Sequence, residues 1–346
     1  MSSRMTLRVA IAVLAVIHAV VLLAGFFAPY DPDVQDRGAP YAPPMRVHFR
    51  DAAGQWHVRP FVYALKTSET ELDVYREDQA LKLPLRFLVR GASYRVAGMF
   101  RTDVHLFGID DANAADARVY LLGTDAFGRD QLSRLLYGGR ISLAAGLLAA
   151  GLALLIGTGL GMAAGFYGGL LDDGLMRVSE LFVALPWLYL LLAVRAFLPL
   201  HIEPESAFLL VVAIIGCVGW ARPARLVRGI ALSAKERCYV TAARGFGASN
   251  IYLLRRHVLP EAMGVVLTQA ALLVPQYILA EVTLSFLGLG VGEPAPSWGA
   301  MLATLQQYHV LVSYWWMWCP ALALVVIVLA FNALADATHN QIQSEV

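Results

Sequence analysis

At 346 residues, with 58% hydrophobic and 15% charged side chains, the chain is far more apolar than a soluble globular domain and reads as an integral membrane protein. Its net charge of +1 supplies no basic stripe of the kind that marks a nucleic-acid partner. The three cysteines, Cys217, Cys238 and Cys319, all lie outside 29–140, which excludes a disulfide framework in that long polar segment.

Taken in order, residues 1–28 predict a first transmembrane helix. Val9 to Phe27 is almost wholly apolar and long enough to cross a bilayer of roughly 30 Å. Arg4 and Arg8 precede it, as they would a signal peptide. The run exceeds the ~7–15 residues of a signal core and no small-x-small cleavage site follows, so it reads as an uncleaved span. Residues 29–118 then form an extramembrane insert. It opens on a proline-rich extended connection, and within 40–118 the segments RVHFRD and WHVRPFVY alternate around AAGQ as a hairpin would. Leu83 to Val89 and Tyr94 to Phe100 are two further strands, giving a small β-rich domain that serves either as a spacer or as a platform for an outer partner.

Residues 119–140 carry LGTD, GRD and SR, and the stretch Asp130 to Gly139 is amphipathic, with Leu132, Leu135 and Leu136 on one side and Arg134 on another. Such a helix is expected to lie flat at the interface. The core at 141–337 holds five more spans. Ile141 to Phe166 has Gly157, Gly161 and Gly165 four apart, a face on which two helices can approach closely. Gly157-x-Gly159 is not read as a nucleotide fingerprint, because no strand precedes it. The third span, Leu175 to Leu198, should kink at Pro186, with Glu180 and Arg195 near its ends either snorkelling at the interface or serving inside the membrane as an ion pair or substrate contact. Ala207 to Leu226 is the fourth span. Ala262 to Leu287 is the fifth, broken by Pro275 and bearing Glu281, which either lines a pathway or braces neighbouring helices. Tyr314 to Leu334 is the sixth, opened by interfacial Trp315, Trp316 and Trp318. Residues 338–346 form the tail.

Between the fourth and fifth spans lies a loop at 228–261 with Arg228, Lys235, Arg237, Arg244, Arg255 and Arg256, and short loops rich in Lys and Arg stay cytoplasmic. Within it, Val240, Ala243 and Phe246 share a helical face, Gly245 and Gly247 permit a helix end or positive φ, and Leu259-Pro260 reads as a hinge before the next span. The spacing of Ala242, Ala243, Gly247, Leu259 and Pro260 resembles the signature loop of bacterial ABC importer permeases, with His257 in place of an isoleucine and Thr241 in place of the glutamate. The segments at 122–142, AEVTLSFLGLG at 280–290 and PSWG at 296–299 resemble the dipeptide, oligopeptide and nickel branch. The likeness covers about 119–337 together with the first span.

That resemblance implies a type I ABC importer permease fold: an all-α polytopic membrane protein of six transmembrane helices with a small β-rich extramembrane insert. It implies that Tyr239, Val240, Thr241, Ala242, Ala243, Arg244, Gly247, Leu259 and Pro260 form the ATPase-coupling segment. Implied partners are a second permease subunit, one or two ATPase subunits, and a periplasmic or lipid-anchored solute-binding protein. The chain itself would be a transport subunit with no catalytic residue, metal or cofactor, ATP and Mg lying on the ATPase. The expected setting is the bacterial inner membrane with both termini cytoplasmic, and the expected cargo is di- or oligopeptides, with nickel or a sugar or glycopeptide as alternatives.

The residues agree that ATP must be bound elsewhere, since no G-x-x-x-x-G-K-[ST] occurs. No HExxH or paired-cysteine cluster appears, and His48, His57 and His105 read as ordinary strand residues. A membrane-embedded enzyme using Arg195, Glu281 and Asp336 would have no need of the signature loop. An ATP-independent secondary transporter would show two corresponding halves, and none is visible.

Overall fold

Four helices are long and apolar enough to cross a membrane, Met5–Leu22, Gln131–Tyr167, Asn250–Phe286 and Trp315–Thr338. Two bent pairs raise the number to as many as six if each pair is one span. The structure, a computed structural model, describes residues 3–67, 75–96, 100–109, 117–197, 199 and 203–344. These fall into two compact units, Met1–Leu14 with Ser142–Gly290 and Leu324–Val346, and Ala15–Ile141 with Val291–Ala323.

The second unit contains the end of helix α1 (Ser3–Leu22) from Ala15 on, the single turn α2 (Ala24–Phe27) and four strands: β1 (His48–Arg50), β2 (Trp56–Thr67), β3 (Tyr75–Val96) and β4 (Phe100–Ile109). The strands form an antiparallel meander in the order β1-β2-β3-β4. The sequence pattern suggests separate strands at 83–89 and 94–100, whereas β3 runs unbroken from Tyr75 to Val96. Gly91, Ala92 and Ser93 are absorbed as a register shift between Arg90 and Tyr94 rather than spent on a turn. Pro84 is tolerated inside this strand because the ladder changes partner there: β2 pairs with β3 up to Pro84, and β4 takes over from Leu85. Beneath the sheet, Ala42, Met45, Val62, Leu83, Leu85, Val119 and Tyr120 form a buried cluster, so both connecting segments belong to the sheet's own core.

The first unit holds most of α3 (Gln131–Tyr167), then α4 (Gly169–Ala184), α5 (Trp187–Ala196), α6 (Pro204–Gly219), α7 (Ala221–Lys235), α8 (Cys238–Gly245), α9 (Asn250–Leu253) and α10 (Leu259–Phe286). The remaining helices of the chain are α11 (Trp298–Ala303), α12 (Tyr308–Ser313) and α13 (Cys319–Ser344). Close packing between α3 and the α6–α7 pair rests on glycine. A Cβ on Gly157, Gly161 or Gly165 would lie 2.7 Å from Trp220 O, 2.4 Å from Ala224 O or 2.6 Å from Arg228 O, all backbone atoms that cannot swing aside.

Several expectations are corrected. The amphipathic segment at 130–139 does not lie flat as a separate helix but forms the first turns of α3. Arg134, expected on a side apart from the leucines, is 2% exposed because carboxylates meet it there. Pro186 gives a full break rather than a kink, with α4 and α5 at 94°. Pro275 does not interrupt α10. Pro260 is no hinge: the chain is helical from Asn250 to Phe286, and a π-helical turn at Leu254–Val258 stands just before it. Proline removes an amide donor and crowds the preceding turn, and widening that turn accommodates both effects. Arg195 does not snorkel. It is 1% exposed and donates from Nε to Leu289 O at 2.6 Å and from Nη1 to Pro199 O at 2.9 Å, while Glu180 pairs with Arg177 at the surface. Trp316 is buried rather than interfacial, its Nε1 donating to Thr124 O at 3.0 Å.

Candidate functional site

The polar segment between α7 and α10 folds into a small platform. α8 opens after Arg237, whose carbonyl accepts from Val240 and Thr241, and closes on a left-handed turn. Gly247 has φ +84°, its N–H donates to Arg244 O, and the N–H of Ala248 donates to Ala243 O. This pair of bonds satisfies carbonyls at the helix end and needs a residue that adopts positive φ without strain. Ser249 then caps α9, its hydroxyl accepting from Tyr252 N.

The underside of α8 is anchored. Val240 is fully buried against Phe166, Ala231, Ala234, Leu253 and Val258, with Ala243 and Ala248 packed beside them. Phe246, expected on this same face, is instead 93% exposed, because the helix ends at Gly245 and the cap residue turns outward. Tyr239, Ile251 and Tyr252 are exposed with it, as are Thr241, Ala242, Arg244, Gly247 and Pro260, while Leu259 is half-buried. Ala243, Phe246, Gly247, Ala248, Ser249 and Tyr252 line a shallow open groove. The outward face is therefore apolar and aromatic, with basic residues around it.

Sequence reasoning missed one member of this platform. The loop motif lacks its glutamate, Thr241 standing there with its hydroxyl turned back onto Arg237 O. A carboxylate is nevertheless present: Glu261, in the first turn of α10, accepts from the Tyr239 hydroxyl and pairs with Arg237 at 3.8 Å. The bond to Glu261 raises the Tyr239 phenol above its ordinary pKa. His257 stands with ring centroids 5.5 Å from Tyr239 and 5.8 Å from Tyr252, so an aromatic ring fills the place of the isoleucine.

The second motif region forms a knot rather than a site. Asp125 Oδ2 accepts from Arg129 Nε at 2.7 Å, Arg129 and Arg134 both reach Glu293, and Thr124 bonds Ala42 N and Ala39 O. Gly128, at φ +70°, has no room for a side chain, since a Cβ there would lie 1.8 Å from Asp36 O. Glu281 is fully buried on α10 and its Oε1 accepts from Ser285 Oγ at 2.7 Å. His48 meets Glu77, His57 meets Asp51, and the His105 ring nitrogens face the carbonyls of Ala28 and Ala92. Among the described residues no group of three His, Cys, Asp or Glu is placed to hold a metal ion.

Long apolar helices packed through glycine, with a basic segment between α7 and α10 folded as a capped platform, define a polytopic membrane protein. The chain belongs to the family of binding-protein-dependent transport system inner membrane components, which matches residues 157–346. It is thus a transport subunit of the inner membrane. Among curated proteins it is 36% identical over 233 residues to the dipeptide transport system permease protein DppC of Bacillus subtilis, spanning 67% of this chain and 71% of that one. It is 36% identical over 234 residues to the glutathione transport system permease protein GsiD of Pectobacterium atrosepticum, spanning 68% and 75%. To the oligopeptide transport system permease protein OppC of Escherichia coli K12 it is 40% identical over 221 residues, spanning 64% and 71%. A chain from a solved structure of the MetNI methionine ABC transporter aligns with 58% of this chain and 93% of its own length, at TM-score 0.46 and 19% identity.

Proposed function

We propose that this chain is one of two permease subunits of a peptide-importing ABC transporter, crossing the membrane six times with both termini in the cytoplasm. Relatives named for dipeptides, oligopeptides and glutathione favour a short peptide as cargo. ATP and Mg are bound by separate ATPase subunits, and an outer solute-binding protein delivers the peptide. The observation that carries the coupling role is the two-sidedness of α8: Val240 buried without exposure below, Phe246 93% exposed above. A helix locked to the span bundle by one face and offering aromatics on the other passes a push from a docked ATPase into α7 and α10. Leu259 and Pro260 carry that push into the fifth span.

The test replaces Phe246 with Asp in the assembled complex. Burying an uncompensated carboxylate at an apolar contact costs several kcal/mol, so ATPase subunits should co-purify poorly and peptide-stimulated hydrolysis should be lost, while the chain remains in the membrane. Unchanged co-purification and hydrolysis would remove the docking role.

A further inference from the structure

The first helix and the β3–β4 hairpin meet at two levels. Gly25 lies inside the apolar run shared by α1 and α2, and a Cβ there would sit 2.1 Å from the Tyr94 ring. Three residues on, where the chain turns polar at Pro29-Tyr30-Asp31, Ala28 O lies 2.7 Å from His105 Nδ1. At a rise of ~1.5 Å per residue the two levels are about 4.5 Å apart, Gly25 being the deeper in the apolar run. In the hairpin, His105 pairs with Val89, Thr102 with Tyr94, Arg101 with Arg95 and Phe100 with Val96. Moving along the hairpin toward its tip therefore leads from the polar end of the first helix into its apolar length. At ~3.3 Å per residue, Arg95, Arg101 and Phe100 continue in that direction, toward the level of Leu22 and Leu23. Both leucines are exposed.

Charge and polarity identify what stands at that level. Phe100 is 71% exposed, and Arg90, Arg95 and Arg101 are all exposed. Arg95 and Arg101 face each other directly across the ladder, a like-charge pairing that is unfavourable unless an anion is shared between them. Among the described residues none of these three arginines is in an ion pair. An exposed aromatic flanked by guanidiniums, at the depth where an apolar helix emerges, matches the chemistry of the bilayer interface. There the ring sits at the headgroup–acyl boundary and the long cationic side chains reach phosphates.

We infer that the β3–β4 hairpin is a membrane-surface anchor: Phe100 enters the headgroup–acyl boundary beside the first span, and Arg95, Arg101 and Arg90 take phosphates of anionic phospholipid. This rests on the first helix crossing the bilayer and is independent of which solute the chain carries.

The test uses the full chain, assembled with its partner subunits, in nanodiscs of phosphatidylcholine with or without phosphatidylglycerol. With Cys217, Cys238 and Cys319 replaced by Ser, a nitroxide is attached at Phe100→Cys or, for comparison, at the fully exposed Val58→Cys. The label at 100 should collide preferentially with oxygen and the label at 58 with a water-soluble nickel chelate. Phosphatidylglycerol should deepen the label at 100. The Arg95→Gln/Arg101→Gln pair should remove that deepening, at about fivefold per arginine in the anchored population, the equivalent of ~1 kcal/mol each, and Arg→Lys should retain it. Nickel access at 100 equal to that at 58 overturns the anchor. Shielding from both reagents means a protein covers the tip and overturns it equally. Indifference to both phosphatidylglycerol and the glutamines overturns the phosphate contact. If the glutamine variant does not assemble, the phosphatidylglycerol comparison on the native arginines decides.

Discussion

Asp172 and Arg228 grip each other with both prongs: Arg228 Nε donates to Asp172 Oδ1 at 2.5 Å and Nη2 to Oδ2 at 2.6 Å. The pair ties α4 to α7, the helix that runs directly into the platform, seven residues ahead of Lys235 at its end. Arg228 thus braces the base from which α8 projects as well as adding to the positive charge of this segment.

The first prediction follows from that pair. Asp172→Ala and Arg228→Ala should each lower the apparent unfolding midpoint of the detergent-solubilised chain, and the double variant should be no worse than the more damaging single one. A coupling of about 1–2 kcal/mol is expected for a bidentate charged contact, held at the low end because the Arg228 side chain is 33% exposed. Simple additivity in the double-mutant cycle would mean the contact is incidental.

Gly161 and Gly159 allow a paired test on one helix. A Cβ on Gly161 would meet the backbone carbonyl of Ala224 at 2.4 Å, whereas one on Gly159 has nothing within 4 Å. Gly161→Ala should therefore force α3 and α7 apart at a cost of roughly 1–3 kcal/mol and lower the yield of folded chain. Gly159→Ala should match the parent in size-exclusion profile and midpoint. Equal behaviour of the two would contradict the packing.

How much of this was visible beforehand depends on sequence distance. The platform's turn was legible because everything it needs is local: Gly247 supplies positive φ and Ala243 and Ala248 close the cap. The strand at 56–67 was legible from its β-forming residues, but its burial was not legible from alternation: Phe61, Val62 and Tyr63 are all buried and Val58 is fully exposed. Glu261 was missed because its partner Tyr239 lies 22 positions away on another element. The Asp172–Arg228 pair, 56 positions apart, was missed for the same reason. Periodicity put Arg134 on a face apart from the leucines, but it carries no information about what covers that face. Asp125 and Glu293 do.

Acid should act on the β1–β2 hairpin through Asp51. Hydrogen bonds from the Lys82 ammonium, then from His57 and from the Gln55 N–H, hold its carboxyl well below the ordinary range. A depressed folded-state pKa gives stability that is fully present above the unfolded value of about 4 and is lost as pH falls through the folded one. Hydrogen-exchange protection of His48–Arg50 and Trp56–Thr67, corrected for intrinsic rates, should then stay level from pH 7 to about 5 and fall only below about 4. Asp51→Asn should lower protection at neutral pH and flatten the profile. A midpoint near pH 6 would assign the dependence to another group.

The last prediction concerns the sheet and where it can be cut. Residues 39–45 and 118–124 are stitched into their surroundings: Met45 N donates to Tyr120 O, Thr124 bonds Ala39 and Ala42, and the Tyr41 ring stacks on Tyr314 at 4.2 Å. Excising from residue 40 would tear this base, whereas replacing 47–117 with a short flexible linker spares it. Met45 and Tyr120 already lie side by side, so a short linker can close the gap without strain. The shortened chain should insert and assemble with its ATPase subunits, and basal hydrolysis should persist. If the sheet is a platform for the solute-binding protein, stimulation by the loaded binding protein should fall severalfold in the same preparation. Full stimulation would make the sheet a spacer. Loss of assembly, despite an intact base, would make it a structural element that assembly needs.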